Sequence, residues 1–233
     1  MEINIWSDIR CPFCYIGKRK FEAALKNFPE ADKVKVTWKS FQLDPTLQTQ
    51  PDINLMEHLA LSKGMPLDQA KGMVSHVMNM ASEEGLNFNF DHAVVANSFN
   101  AHRLLHFAKS LQKGDQLKEA LLKAHLEDGI NIDDINALTE IAVANGLEKE
   151  ATEKVLNSDD YAYDVKQDEM EAQNIGVRGV PFFVFDNKYA ISGAQPSEAF
   201  LETLNKAWGE FASEKPELIV SKGDSCDVDG NCD

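Results

Sequence analysis

Cys11 and Cys14, in the stretch Asp8-Ile9-Arg10-Cys11-Pro12-Phe13-Cys14, are the residues whose type and spacing carry the clearest chemistry. Thiols three positions apart at the start of a helix lie close enough to close a small disulfide. The thiolate is the reactive form of cysteine. In a dithiol reading Cys11 is the exposed attacker, and Cys14, one turn in, resolves the mixed disulfide. The same pair is also half of a zinc site, whose other two ligands Cys226 and Cys232 could supply. A third reading is a pair of buried, inert cysteines. Arg10 beside Cys11 points to an electropositive setting rather than an apolar one.

The flanking residues predict how the pair is held. Ile3-Asn4-Ile5-Trp6 alternates as a short strand does. Tyr15 to Phe28 has helical spacing, with Ile16, Phe21, Ala24, Leu25 and Phe28 on one face. Pro12 suits the first helical position, where a missing N–H costs nothing. A helix N-terminus offers free N–H groups and a partial positive charge, and both favour a thiolate. A second β-rich run follows through Val34, Val36, Trp38, Phe41 and Leu43, so residues 1–45 read as a right-handed βαβ unit.

Helical periodicity then continues for some hundred residues. The predicted helices are Leu55–Lys63, Leu67–Glu84, Val94–Gln112, Gln116–Glu127, Ile135–Asn145 and Lys149–Asn157. Gly64, Gly85, Gly114, Gly129 and Gly146 fall at or past helix ends, and Asp115 and Asp134 suit N-caps. Another helix is expected over Asp160–Asn174. Phe182–Phe185 reads as a buried strand, Asp186-Asn187 as a tight turn into Tyr189-Ala190-Ile191, and Ser197–Phe211 as a closing helix. Val180-Pro181 opens that strand. Proline cannot donate to a ladder. It is either a plain strand-initiating proline or a cis peptide facing the dithiol, which would leave the Val180 backbone free to pair with an extended substrate.

Composition bounds the function. The chain has 233 residues, 43% of them hydrophobic, and a formal net charge of −15. That charge argues against nucleic acid and against an anionic membrane surface. No stretch is long and apolar enough for a transmembrane helix. The first strand follows Met1 directly, so a cytoplasmic setting is expected. Four cysteines are too few for a disulfide scaffold. His102 and His106 share a helical face, but their spacing lacks the metalloprotease glutamate, and no metal is expected.

Several of these stretches together resemble a known family. The strand, Cys-Pro-Phe-Cys and helix start, the long helical insertion, and Gly179-Val180-Pro181-Phe182-Phe183-Val184-Phe185 resemble the thioredoxin fold of the DsbA family. Asp8–Gly17, Asn100-Ala101-His102-Arg103-Leu104 and Ile191-Ser192-Gly193-Ala194-Gln195 resemble its FrnE-like branch. That branch is grouped with 2-hydroxychromene-2-carboxylate isomerases and kappa-class glutathione transferases. The resemblance implies an α/β, thioredoxin-like fold with a large all-helical insertion. Its domain is discontinuous, 1–45 and 160–212, with a helical insertion over 46–159 and an acidic tail over 213–233. It implies a thiol–disulfide oxidoreductase with Cys11 as nucleophile, Cys14 as resolving cysteine and a cis Val180-Pro181 bond beside them. Pro12, Phe13, Val180 and Pro181 would contact substrate. Cys226 and Cys232 are a candidate auxiliary redox pair.

Two departures from the relatives shape the expected activity. Isomerase and transferase relatives carry serine where this chain has Cys11, so disulfide exchange is favoured over glutathione-assisted isomerisation. DsbA oxidants have histidine inside the motif where this chain has Phe13. No cofactor is required; glutathione is a candidate redox partner, and the substrates are protein or small-molecule disulfides and thiols. A monomer or homodimer is expected. The alternatives are a glutathione-dependent isomerase or transferase, and a chaperone or zinc-binding module.

Overall fold

The computed structural model describes residues 1–213. Cys226, Cys232 and all but the first residue of the 213–233 tail lie outside the described residues. Strand β1 (Glu2–Ser7) and helix α1 (Pro12–Lys26) lead through a short 3-10 turn into β2 (Lys35–Ser40). Six helices follow: α2 (Leu55–Lys63), α3 (Leu67–Glu83), α4 (Phe99–Ser110), α5 (Gly114–Leu126), α6 (Ile135–Ala144) and α7 (Lys149–Leu156). Helix α8 (Ala162–Asn174) leads back to β3 (Phe182–Phe185), β4 (Tyr189–Ser192) and α9 (Ser197–Ser213).

The sheet has the order β2-β1-β3-β4. Strands β1 and β2 are parallel, which requires the crossover that α1 supplies; Ile5 pairs with Trp38. Strands β1 and β3 are antiparallel, with Ile5 opposite Phe183, and β3 turns into β4. The turn residues Asp186 and Asn187 both have positive φ, 50° and 54°. That geometry matches the right-handed twist of a hairpin and suits Asp and Asn.

Alternation along β1 sends side chains to both faces, and both are covered. Ile3 and Ile5 join Phe21, Phe28, Trp38, Phe183, Phe185, Phe200 and Leu204 in a core between the sheet, α1 and α9. Trp6 points the other way and packs with Ala172 and Val177 beside α8. Its indole N–H donates to the Asp168 carbonyl at 2.9 Å. Two further cores fill the helical segment, and each takes residues that flank the cysteines. Ile9 enters the one built from Leu104, Leu117, Leu121 and Leu138. Tyr15 and Ile16 enter the one built from Val74, Leu86, Phe88 and Leu122.

Three predicted helix starts move, those of α4 and α8 because the preceding backbone is tied elsewhere. Helix α4 begins at Phe99, not Val94. The Gln50 N–H donates to the Val95 carbonyl at 2.7 Å, and Asn97 spends its side chain on the Phe99 N–H and the Leu47 carbonyl. Helix α5 begins at Gly114, so that glycine opens a helix, and Asp115 is no cap: its carboxylate accepts the Trp38 indole N–H at 2.8 Å. Helix α8 begins at Ala162, not Asp160. The Arg103 guanidinium holds the carbonyls of Ser158 and Asp160, so that stretch is fixed as a loop. The second β-run also stops at Ser40, short of Phe41 and Leu43. Asp134 does cap α6, accepting from the Ala137 N–H at 2.8 Å.

The Val180-Pro181 peptide is cis. Helix α1 runs close against it at Gly17, where a Cβ would lie 2.9 Å from Pro181 Cγ, 3.5 Å from Phe183 Cζ and 3.6 Å from Ala194 Cα. The proline ring cannot swing aside as a long side chain would. Glycine to alanine in an unhindered helix interior stabilises by about 0.5–1 kcal/mol, whereas overpacking costs about 1–3 kcal/mol. Gly17→Ala is therefore expected to lower the urea midpoint. An unchanged or raised midpoint would show that the contact yields.

Candidate active site

The dithiol sits where β1 gives way to α1. After Ser7 the chain turns, with the Cys11 N–H on the Asp8 carbonyl at 3.3 Å. Cys11 is the N-cap, in extended conformation at φ −87°, ψ 114°, and Pro12 starts the helix. Both thiols are free and buried. Cys11 is 3% exposed and Cys14 1%, while Phe13 between them is 37% exposed. The expected exposed attacker is thus a covered one. Its roof is the cis peptide: Cys11 Sγ donates to the Val180 carbonyl at 3.5 Å, and Pro181 is buried beside it. The Val180 carbonyl is therefore engaged, not free.

Buried charges surround the sulfurs. Asp8 is wholly buried. Its carboxylate accepts the Leu43 N–H at 2.9 Å, the Arg10 N–H at 3.2 Å and His102 Nε2 at 3.4 Å. Burial alone would raise its pKa, but the His102 contact and the Leu43 N–H outweigh burial and hold it far below the usual carboxylate range. Burial lowers His102, against the pull of Asp8. At neutral pH Asp8 is ionised and His102 is neutral, donating Nε2–H. Lys118, on α5, is 1% exposed, with its ammonium 3.5 Å from the Ser7 carbonyl and 5.6 Å from the Trp38 ring.

The ionisation of each sulfur acts on the other. The neighbouring Cys14, then burial, holds the Cys11 thiol well above its usual range. Burial would raise Cys14 too, but Cys11 and the Lys118 ammonium bring it below. The cation that matters is Lys118; Arg10, singled out for its place in the sequence, is not among the main influences on either sulfur.

The two histidines on α4 part company. His102 serves Asp8, while His106 Nε2 contacts Ser40 Oγ at 3.0 Å and Asp168 Oδ2 at 3.2 Å. Serine and aspartate meet the same ring nitrogen, so this buried group ties β2, α4 and α8 together and is no charge-relay triad. Among the described residues no cluster of three or more His, Cys, Asp or Glu side chains is arranged to hold a metal. No helix there is long and apolar enough to cross a membrane. Sequence reasoning missed Lys118. Its signal was its place on the buried stripe of α5, in step with Gly114, Leu121, Leu122 and His125.

Comparison with known proteins bears on the fold that holds these residues. The profile of the DSBA-like thioredoxin domain family matches residues 2–205. A probable DsbA oxidoreductase from Streptomyces coelicolor is 38% identical, with a TM-score of 0.87 over 100% of this chain and 98% of that one. The uncharacterised protein YwbO of Bacillus subtilis is 28% identical over 211 residues, 88% of this chain and 96% of that protein. The cytosolic disulfide reductase DsbM from Pseudomonas aeruginosa, also solved with GSH, shares the fold at 20% identity. Its TM-score is 0.62, over 88% of this chain and 99% of that one.

Helix α5 is clamped to α1 next to the dithiol. Glu119 accepts from Tyr15 Oη at 2.6 Å, Lys18 Nζ at 2.8 Å and the Arg19 guanidinium. Burial would raise Glu119, but those donors bring it down to about 2. A depressed carboxylate stabilises the fold above its unfolded pKa, and that contribution is lost as pH falls through the folded one. In Glu119→Gln the part of the acid destabilisation between about pH 4.5 and pH 2 that comes from this carboxylate is expected to vanish. Urea unfolding across that window checks it, and a profile identical to wild type would contradict the clamp.

Proposed function

Because the chain belongs to the DSBA-like thioredoxin domain family, we propose that it exchanges disulfides through its Cys-Pro-Phe-Cys dithiol. The family supports thiol–disulfide oxidoreduction in general. The observation that carries the finer reading is the placement of both free thiols at the start of α1, with Cys11 at its N-cap and under the Val180 carbonyl.

In this reading the Cys11 proton crosses to Cys14 as substrate docks. Cys11 thiolate attacks one sulfur of the substrate disulfide, forming a mixed disulfide and expelling a thiolate. Cys14 passes its proton to that thiolate and then attacks Cys11, closing the protein disulfide and releasing the second thiolate. Val180 and Pro181 form the wall along which an extended substrate lies, with Pro12 and exposed Phe13 at its rim. No cofactor enters. Substrates are protein or small-molecule disulfides, and glutathione is the proposed partner that resets the pair. The DsbM fold, solved with GSH, is compatible with that partner. A reductase or isomerase in a cytoplasmic, reducing medium is the form of the activity that we favour. Cys226 and Cys232 are proposed as an auxiliary pair.

Cys11→Ser is expected to abolish insulin-disulfide reduction, and Cys14→Ser to accumulate a mixed disulfide. Unimpaired reduction by Cys11→Ser would refute the mechanism, and the Cys226→Ser/Cys232→Ser double variant reads the tail pair. Phe13 has no group to donate to the sulfur. The couple is therefore expected to be less oxidising than DsbA, whose potential is about −120 mV. Equilibration with glutathione measures it, and a value as high as that of DsbA would sink this expectation.

A further inference from the structure

Among the described residues the sheet has a free edge at β2, because the order β2-β1-β3-β4 gives that strand a neighbour on one side only. Lys35 donates its N–H to the Met1 carbonyl at 2.9 Å, so Lys35, Thr37 and Lys39 turn their backbone groups toward β1. Successive residues of a strand alternate, and Val36, Trp38 and Ser40 turn theirs outward. The far half of that edge is capped by side chains. Lys109, on α4, donates to the Trp38 carbonyl at 2.9 Å, and Asp168, on α8, accepts the Ser40 N–H at 2.8 Å. The near half is bare. Among the described residues the Val36 N–H and carbonyl and the Trp38 N–H have no partner. An unpaired edge is a template for one more strand.

The same edge borders an apolar groove. A cavity of about 650 Å³ lies between α1, β2 and the turn from α4 to α5, with Phe21, Leu25, Val36 and Trp38 on its walls. Helix α9 ends at the foot of this groove. The Trp208 ring packs against Phe28, centroids 6.0 Å apart, and lies 5.8 Å from the Lys33 ammonium, just before β2 begins. Phe211 packs on Trp208 at 5.3 Å. Residues 214–233 follow, and Leu218-Ile219-Val220 is their one run of consecutive apolar residues. Pro216 ahead of that run bars a continued helix, and Gly223-Asp224 behind it suits a turn. An apolar, β-branched run between a proline and a glycine reads as a short strand.

We propose that Leu218-Ile219-Val220, outside the described residues, docks as a fifth strand on the free edge of β2. The chain has the length for it. Helix α9 rises about 7 Å past Trp208, and the stretch from Ser213 to Leu218 spans about 17 Å when extended. Direction makes the new strand parallel to β2, since it starts from the foot of that strand and runs toward the sheet end that holds the dithiol. Alternation puts Leu218 and Val220 on one face, beside Val36 and Trp38 and into the groove. The backbone of the segment supplies the carbonyls and N–H groups that Val36 and Trp38 lack, as in β-augmentation. Charge fits as well. Glu214 and Glu217 lead into the segment, and exposed Lys33 and Lys35 stand at the foot of β2, each holding only a surface ion pair. The opposite edge, β4, offers exposed Ala190 and Ser192 rather than an apolar wall.

The test is amide hydrogen exchange, read by NMR on the full chain, in wild type and in Leu218→Asp/Val220→Asp. The Val36 and Trp38 amides should exchange at least about tenfold faster in the aspartate variant. Ala190, at the β4 edge, and Ile5, in the middle of the sheet, should not change. Leu218→Ile/Val220→Ile, which keeps the segment apolar, should behave as wild type. Cross-strand NOEs from Val36 to residues 218–220 read the same pairing in wild type, with no substitution at all. Fast exchange at Val36 and Trp38 in the wild type, or absence of those NOEs, would overturn the proposal. So would protection lost at Ala190 instead, which would put the segment on β4. Protection at Val36 that grows with protein concentration would put a second copy on the edge, and would overturn it too. Neither measurement reads disulfide exchange, so a protein that exchanges none would defeat the functional reading and leave this one standing.

Discussion

The constraint on which this structure turns is the ionisation of a sulfur that water hardly reaches. With Cys11 and Cys14 only 3% and 1% exposed, hydration cannot support a thiolate. The protein must bring its own support. It does so with the helix N-terminus of α1 and the Lys118 ammonium. Asp8 works the other way, since a fixed negative charge nearby raises Cys11. Its ionisation is sustained by His102 and by two backbone N–H groups, so the site holds both signs of charge in one dry volume.

That requirement explains why the helical segment cannot be read as a lid that merely rests on the sheet. Ile9, Tyr15 and Ile16 flank the cysteines, and each is built into a core of that segment. The same packing that covers the dithiol buries Lys118 against the Ser7 carbonyl at the end of β1. Glu119, next along α5, locks the helix to α1 through Tyr15, Lys18 and Arg19. Neighbouring residues of one helix thus divide the work, Lys118 meeting the end of β1 and Glu119 forming the clamp.

A similar division runs through Asn100-Ala101-His102-Arg103-Leu104. His102 reaches Asp8 and so belongs to the site, whereas Arg103 reaches the backbone after α7 and fixes the loop that leads into α8. His106 secures the other face of the sheet through Ser40 and Asp168. On the opposite side of the dithiol, Gly17 lets α1 approach Pro181 closely enough for the Val180 carbonyl to meet Cys11. Small and polar residues that look incidental along the chain are the ones that set the distances.

Much of this was legible in the residues alone. Alternation in β1, the periodicity of α1 to α3, the Asp186-Asn187 hairpin and the Cys11–Cys14 pair at a helix start are local properties, decided by backbone geometry and side chains a few positions apart. They were enough to place a dithiol at the turn from a strand into a helix and to expect a mixed α/β chain. Three-dimensional packing decided the rest. It covered Cys11, which the sequence reading left exposed, and it moved the starts of α4 and α8 by tying their backbones to Thr49, Gln50 and Arg103. It also replaced Arg10 by Lys118, more than a hundred residues away in sequence, as the cation at the dithiol. The physical reason is the reach of each force. Periodicity and turn chemistry act over a few residues and are written in order along the chain. Burial and charge act through space, so the partner of a sulfur near the start of the chain is known only once the helices have closed over it.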